Sequence, residues 1–563
     1  MRTPRIEDLR PTRLPATVLA AAVGAGSAVL LILRLFVPRP VGVADNYDGV
    51  RLMCHLGVDV RLPRNTPRLR DYVYYRYDHL AHFGCQRHAL GSIRLPDVPY
   101  QSSQLLVLYA GRALTRVLGL PGYLDLRAVG IVCCLLIGTA VGLLYRIATL
   151  RHRYRLLLCA AVVAVVGDTV FIDYAVSPFS EIASVIGLLY VAVGVLMLAG
   201  PGRRRRLAGI AVTGVSGLFL ATAKTQNVSA VLPLALLLLL PAVPMPVPSR
   251  PARLAGLARL AGMRGLARLA GRVRLPALDR RLRHRLTGLV AVVVMAVGAF
   301  AVSGNEDKRT AQLTEANFVV VTLLSTSAHP ERDVAEFGAP SWLADYAGAP
   351  PWCAPTTLQD SAAYQKFTKG LSHQRILGFF LDHRTRLLPV LNRVAGYFYE
   401  PRPTATLCGP GPHGTQVIVL PRLGNYTHLA HTPRGLQDHR WSPVTDALGL
   451  LRGSGLATLL LLWLLPAAAV TATRRRRALR GVGAVLALLL VVALTQFGES
   501  AFADGIDTAK HLDLAVLATA LAWVFAAVEV LAALTRRVRR DTAAVAGIPR
   551  PASVSAPESE PVA

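Results

Sequence analysis

Charge is scarce in this chain, and acid is the scarcer sign. Among 563 residues there are 62 Lys and Arg but only 33 Asp and Glu, so charged side chains make up 17%. A soluble protein carries about 25%. Mean hydropathy is +0.42, and 53% of residues are hydrophobic. No small-residue cleavage site follows the first apolar block, Ala16 to Val37. That block is also too long for a signal-peptide core, so it reads as a retained membrane helix. The seven Cys and 14 His show no close metal-ligand spacing, which weakens a metal reading of the cysteines. Ionisable residues inside the apolar blocks are few, mainly Arg34, Asp168 and Glu529. Transporters and proton relays need several such groups near the midplane.

What the chain does have is apolar blocks long enough to cross a bilayer, at about 20 residues each. They predict an all-α polytopic membrane protein with about ten helices, near 16–37, 123–148, 155–172, 181–200, 206–223, 226–243, 286–303, 447–470, 481–498 and 511–535. The net charge of +29 lies in runs between them: Arg151 to Arg155, Arg203 to Arg206, Arg253 to Arg285, Arg474 to Arg477 and Arg536 to Arg540. Such alternation marks cytoplasmic loops. Anionic lipid is therefore the partner of these clusters, and nucleic acid is not.

The resulting order has a cytoplasmic N-terminus at 1–15, the first helix at 16–37 and a first extracytoplasmic loop at 38–122. Helices two to seven fill 123–303, interrupted by a basic cytoplasmic loop at 249–285. A large extracytoplasmic segment covers 304–446, the last three helices 447–535, and a disordered cytoplasmic tail 536–563. Both outer segments are expected to fold against the membrane domain, with an interfacial helix over Ser102 to Leu118. Cys133, Cys134 and Cys159 fall in spans as packing residues. Cys54 and Cys85 share the first outer segment and Cys353 and Cys408 the second. Even numbers in an oxidising compartment point to disulfides Cys54–Cys85 and Cys353–Cys408.

Four short polar stretches could carry chemistry. Asp45 and Asp48 follow the first helix, with Arg51 three residues on. A carboxylate there could serve as general base on a sugar hydroxyl; an Asx turn and helix cap explain it equally well. In the stretch Asp173 to Glu181, Ser177 and Pro178 read as N-cap and N1, and Glu181 suits a first helical turn. In the stretch Ala223 to Asn227, Lys224 complements a helix C-terminus and can snorkel, or holds a phosphate at headgroup depth. Gln226 and Asn227 flank it. In the stretch Asp504 to Leu512, Asp507 reads as an N-cap, which places Lys510 and His511 in a first turn where a cation opposes the dipole. A bound anion relieves that conflict, and a carboxylate such as Asp504 is the alternative.

In order along the chain, the stretches 42–53, 177–181, 223–227, 323–340, 423–426, 441–442 and 504–512 resemble the bacterial glycan biosynthesis hexose transferases of the WsfD type. Tyr47 stands where that pattern has Gly, and 249–285 looks like an insertion. The resemblance implies a GT-C-like membrane hexosyltransferase. Its expected partners are a polyprenyl-phosphate sugar donor and an envelope glycan acceptor. It also implies a multi-pass bacterial cell-membrane protein whose active face is extracytoplasmic and whose termini are cytoplasmic. Asp48 is the expected base, with Asp45 as its partner and Glu181 as a third candidate. Lys510, His511, Lys224 and Arg51 are expected on the donor phosphate, with Gln226, Asn227, Asp504 and Asp507 in support. No resident cofactor is indicated, although two Asp could share a divalent cation. A flippase of lipid-linked glycan and a non-catalytic envelope scaffold remain the competing classes.

Topology is the first test. Cysteines placed at Asp71 and Asp360 should react with an impermeant reagent in intact cells, and one at Arg264 should react only after permeabilisation. Labelling of position 264 from outside overturns the arrangement.

Overall fold

The computed structural model describes residues 15–43, 49–61, 74–80, 85, 89–90, 93–94, 100–239, 280–304, 308–349, 361–401, 405–409, 416–420, 427–429, 440–473, 480–502, 505–506 and 508–545. Each of the ten expected segments contains helix. Six helices are long and apolar enough to cross a membrane: Ala16–Phe36, Leu126–Ile147, Glu181–Leu198, Leu286–Ser303, Gly481–Phe502 and Asp513–Arg536. A seventh span results if His152–Val166 and Thr169–Val176, bent by 65°, are taken together. The remaining three differ for visible reasons. Arg203–Ala221 opens on four Arg. Thr225–Leu239 and Leu456–Thr471 are shorter apolar helices.

Small residues let the first helix approach the second. An added Cβ at Gly138 would lie 2.5 Å from the Gly24 carbonyl oxygen and 2.8 Å from the Ala28 Cβ, and one at Gly142 would lie 2.7 Å from the Ala20 carbonyl oxygen. Ala20, Gly24 and Ala28 therefore mate with Gly138 and Gly142 at four-residue spacing, which gives close backbone packing where lipid supplies no hydrophobic drive between helices. Peripheral helices instead turn apolar side chains outward. Val290, Val293, Val297 and Phe300 on the helix Arg280–Ser303 are exposed.

Several boundaries shift from the sequence reading. The second span starts at Leu126 because Leu124 and Asp125 pair with Tyr77 and Arg76 in a three-stranded sheet, after which Asp125 caps the helix by accepting the Arg127 N–H at 2.8 Å. The tail expected to be disordered from 536 begins as helix: Asp513–Val545 is continuous. Arg and Ala there are strong helix formers, and Arg536 reaches Glu529 at 3.0 Å. Residues 546–563 lie outside the described residues, as does most of the basic loop 249–285.

The expected interfacial helix is Gln104–Val117, with Leu106, Tyr109 and Val117 exposed. The segment 38–122 contains the Cys54–Cys85 disulfide. Cys353 lies outside the described residues, and of Cys408 only the backbone, in the strand Ala405–Gly409, is described. Part of the segment 304–446 builds its own aromatic core from Phe318, Phe337, Tyr364, Phe367, Phe379 and Phe380. Phe502, at the end of the helix Arg480–Phe502, packs on that core, with ring centroids 5.9 Å from Phe318 and 5.5 Å from Phe380. A short antiparallel pair, Val41–Val43 with Thr427–Leu429, joins the segments 38–122 and 304–446.

Replacing Gly138 with Leu should destabilise detergent-solubilised protein by about 1–3 kcal/mol through overpacking. Gly26, on the same helix pair, has open space around it, so Gly26→Ala should be neutral or slightly stabilising. Thermal unfolding of the two variants checks this, and equal midpoints would refute the packing account.

Candidate active site

Three helix interruptions meet inside the bundle. The first is the bend after Val166. Asp168, fully buried, caps the helix Thr169–Ile172 through the Val170 N–H at 3.1 Å. It also accepts the Val444 N–H at 2.7 Å, the Thr445 N–H at 3.1 Å and the Thr445 hydroxyl at 2.8 Å. This carboxylate has its hydrogen bonds supplied from a segment 276 residues away. Arg34 of the first helix ion-pairs with buried Asp173 at 3.3 Å.

From Asp173 the chain turns through residues that are buried without exception as far as Leu189. Ser177 was expected to cap the next helix, with Pro178 at its first position. Instead its hydroxyl accepts the Phe179 N–H at 3.0 Å in a local turn, and the helix begins at Glu181. The strand Val41–Val43 packs on this turn. A side chain at Gly42 would collide with the Val176 carbonyl oxygen. Asp45 and Asp48, the expected base and its partner, follow that strand and lie outside the described residues.

The second interruption separates the helix Arg203–Ala221 from the 3-10 turn Thr225–Ala230. Lys224 occupies the gap and donates to Glu181 Oε1 at 2.7 Å, with side-chain exposures of 14% and 3%. Asn227 Nδ2 donates to Ser184 Oγ at 2.7 Å and to the Leu220 carbonyl at 3.0 Å, which locks the same two elements together. The backbone at the gap is also satisfied. The Ala223 carbonyl accepts Ser102 Oγ at 2.7 Å and Tyr100 OH at 3.4 Å. Arg51 stacks on the Tyr100 ring at 4.8 Å, so it reaches this turn through Tyr100 and is not among the cavity-lining residues.

The third interruption follows Phe502. Gly505 allows contact with the π-turn Phe318–Leu323, where a Cβ would lie 2.5 Å from Thr322 Oγ1. Lys510 and His511 were expected in the first turn of the last membrane helix. They close a separate one-turn helix, Thr508–His511, and the long helix starts at Asp513. The dipole conflict that called for an anion is therefore absent, and the acid at the helix start is favourable. Lys510 is buried, with Nζ 4.4 Å from the Phe179 ring centroid. The His511 carbonyl accepts Ser500 Oγ at 2.8 Å. Asp504 and Asp507 lie outside the described residues.

A narrow polar cavity, with enclosed room for about one water molecule, lies where these turns meet. It is lined by Glu181, Lys224, Gln226, Asn227, Lys510 and His511, together with Tyr174, Ser184 and Asp513. Sequence reasoning missed the last three. Asp513 is the important omission. Neither of its carboxylate oxygens, nor Glu181 Oε2, has a hydrogen-bond partner among the described residues, and both side chains are more than nine-tenths buried. Tyr174, Lys224 and Lys510 all lie close enough to act on the Asp513 carboxyl. A carboxylate three residues after a lysine was the available signal.

Among the described residues, one group of His, Cys, Asp and Glu is close enough to share an ion: Cys54, His55 and Cys85. Its two sulfurs are joined to each other and have no thiolate to offer. His55 Nε2 bonds the Tyr100 carbonyl at 3.0 Å, and burial lowers its pKa.

The model of the family described as the YfdI N-terminal transmembrane domain matches residues 5–548. That match is not specific to the hexose transferases of the WsfD type. No curated protein matches. A solved structure of the archaeal oligosaccharyltransferase AglB from Archaeoglobus fulgidus, in complex with an inhibitory peptide and a dolichol-phosphate, is similar at 13% identity and a TM-score of 0.34. The likeness covers 96% of this chain and 52% of that one, so the chain spans about half that protein's length. A superposition this loose assigns neither residues nor activity.

Lys224→Met strands Glu181 as a buried, unpaired charge, which should cost about 3–5 kcal/mol. Adding Glu181→Gln should recover most of that loss. Unfolding of both variants in detergent measures it. A double variant no more stable than the single one would show that the pair is not what holds the two elements together.

Proposed function

The chain belongs to the YfdI N-terminal transmembrane domain family, and on that footing we propose that it is a membrane glycosyltransferase of GT-C type. It moves a hexose from a polyprenyl-phosphate-linked donor onto a cell-envelope glycan, on the extracytoplasmic face of a bacterial cell membrane. The observation that carries this reading is the polar cavity itself. Two carboxylates and the Lys510 ammonium are buried together, with the partly buried Lys224 beside them, in a bundle otherwise poor in charge. Ionisable groups held at such depth mark functional sites.

In the proposed reaction the acceptor hydroxyl attacks the anomeric carbon. A new C–O bond forms as the bond to the phosphate oxygen breaks, and polyprenyl phosphate departs. The hydroxyl proton passes to a carboxylate as bond formation advances, a contribution of roughly 10²–10⁴-fold. Asp48 is the proposed base and Asp45 its partner. Glu181, with one oxygen on Lys224 and the other unengaged, is the third candidate. Lys510, His511 and Lys224 would stabilise charge on the departing phosphate. Arg51 would act from behind Tyr100, with Gln226, Asn227, Asp504 and Asp507 supporting. A divalent cation held by Asp45 and Asp48 would add Lewis-acid assistance to the same departure.

Mass spectrometry of envelope glycans and polyprenyl-linked sugars in a deletion strain tests the reading. The expected result is loss of one hexose from the glycan and accumulation of the lipid-linked hexose. Wild-type chain should restore transfer, and Asp48→Asn should insert normally but fail to restore it. Glycans unchanged by deletion would reject the proposal, and complete glycan stranded on one face would indicate a flippase instead.

A further inference from the structure

The segment that carries the aromatic core has a second face. Its helix His373–Asp382 turns Ile376, Phe379 and Phe380 inward. Leu377 and Leu381, four residues apart and so on one side of that helix, are 61% and 60% exposed. Beyond the turn Arg384–Arg386, Leu388 of the helix Leu387–Phe398 is 56% exposed. A run of exposed leucines on helices whose other sides are already packed calls for a partner.

Two observations say what that partner is. The first is position. The helix Leu387–Phe398 bridges two cores, with Val390 in the aromatic core and Val394 and Phe398 in the core of the helix bundle. Asn392 Oδ1 accepts the Leu456 N–H at 2.8 Å, and Tyr399 OH donates to the Gly455 carbonyl at 3.1 Å. This helix is therefore seated on the end of the apolar helix Leu456–Thr473. The flank of that apolar helix exposes Leu460, Leu461, Leu464 and Leu465, the surface that a transmembrane domain offers to lipid. A helix at its end lies where hydrocarbon gives way to headgroups. The second observation is charge. Residues 362–398 contain six Lys and Arg but a single acid, Asp382. Lys366 and Lys369, in the last turn of the helix Ala362–Lys369, and Arg384 are exposed. Arg384 Nε donates to the Leu381 carbonyl at 3.4 Å, which holds the guanidinium beside the leucines. Apolar side chains bordered by cations suit an anionic bilayer surface, where the stems of Lys and Arg lie along the hydrocarbon and their charges reach the phosphates.

We propose that the helices His373–Asp382 and Leu387–Phe398 form a membrane-docking surface for anionic phospholipid. Leu377, Leu381 and Leu388 enter the acyl boundary of one leaflet, and Lys366, Lys369 and Arg384 bind lipid phosphates above it. Part of the segment 304–446 then rests on the bilayer instead of standing in water. The inference rests on the membership of a transmembrane family and is independent of glycosyl transfer.

Photolabelling of the full chain in lipid vesicles tests it. The probes are phosphatidylcholine and phosphatidylglycerol with a diazirine on the acyl chain, and peptide mass spectrometry locates the adducts. Adducts are expected at Leu377, Leu381 and Leu388, as at the exposed Val290, Val293 and Val297 of the helix Arg280–Ser303, and not on the exposed Glu331 and Arg332. Phosphatidylglycerol should label the leucines in preference to phosphatidylcholine, and Arg384→Gln should reduce that preference about 5-fold. Leu377→Asp combined with Leu381→Asp should lower labelling of the segment about 10-fold while leaving Val293 unchanged. The wild-type chain and Arg384→Gln decide the matter if the double variant does not fold. A chain labelled at Val293 but not at residues 377–388 overturns the proposal, and equal labelling by the two lipids overturns its anionic part. Crosslinking of p-benzoylphenylalanine at Leu377 to a second copy, or to another segment of the same chain, would show that protein covers the leucines and would also reject it.

Discussion

The salt bridge between Lys224 and Glu181 is the interaction on which the centre of the molecule depends. Helices cross membranes because all their backbone groups are satisfied internally. Three interruptions in one region are therefore expensive unless protein surrounds them and supplies partners. Glu181 begins one helix and Lys224 ends another, and their 2.7 Å contact joins those elements at the point where both have broken ends. Asn227 repeats the connection one turn away through Ser184 and the Leu220 carbonyl. With these two elements fixed, the Lys510–Asp513 break can close over them. The cavity is the space left between three chain ends that cannot pack as helices.

Much of the helical framework was legible because it is written in period and length. Apolar blocks and Arg runs placed a helix in every expected segment, and the AlaLysThrGlnAsn stretch 223–227 and the Glu181 position do line one cavity. The failures have physical causes. The bend at Gly167 and Asp168 leaves the apolar run intact, so composition cannot reveal it; the cause is a carboxylate whose donors come from residues 444 and 445. Lys510 was assigned a dipole conflict because a single helix through 511–535 was assumed. Leu512 instead separates two helices, and this moves Lys510 to a favourable end. Asp513 escaped notice for the same reason, as an ordinary acid near the start of a span. The pairing of Glu181 with a lysine 43 residues away lies beyond any local pattern.

The segments 38–122 and 304–446 are more than covers for the helices. Val41–Val43 pairs with Thr427–Leu429 and packs on the turn at Val176. Gly505 brings the third interruption against the π-turn Phe318–Leu323. Segments 38–122 and 304–446 thus each pack on a turn next to the cavity, although neither contributes a lining residue. The aromatic core of the second, with Phe502 packed on it, backs its contact.

Asp168 has a consequence for how the protein is made. Its carboxylate lies at 0% exposure, yet the donors that stabilise it there are synthesised 276 and 277 residues later. Until Thr445 has been made, this carboxylate has only the local donors at Thr169 and Val170, and its second oxygen lacks the partners it has in the folded chain. The bend between His152–Val166 and Thr169–Val176 therefore gains its full set of partners only after the four apolar helices Glu181–Leu198, Arg203–Ala221, Thr225–Leu239 and Arg280–Ser303 and the segment 304–443 have been made. The order of synthesis thus runs against the order of support: a turn made early is locked by backbone donors made much later.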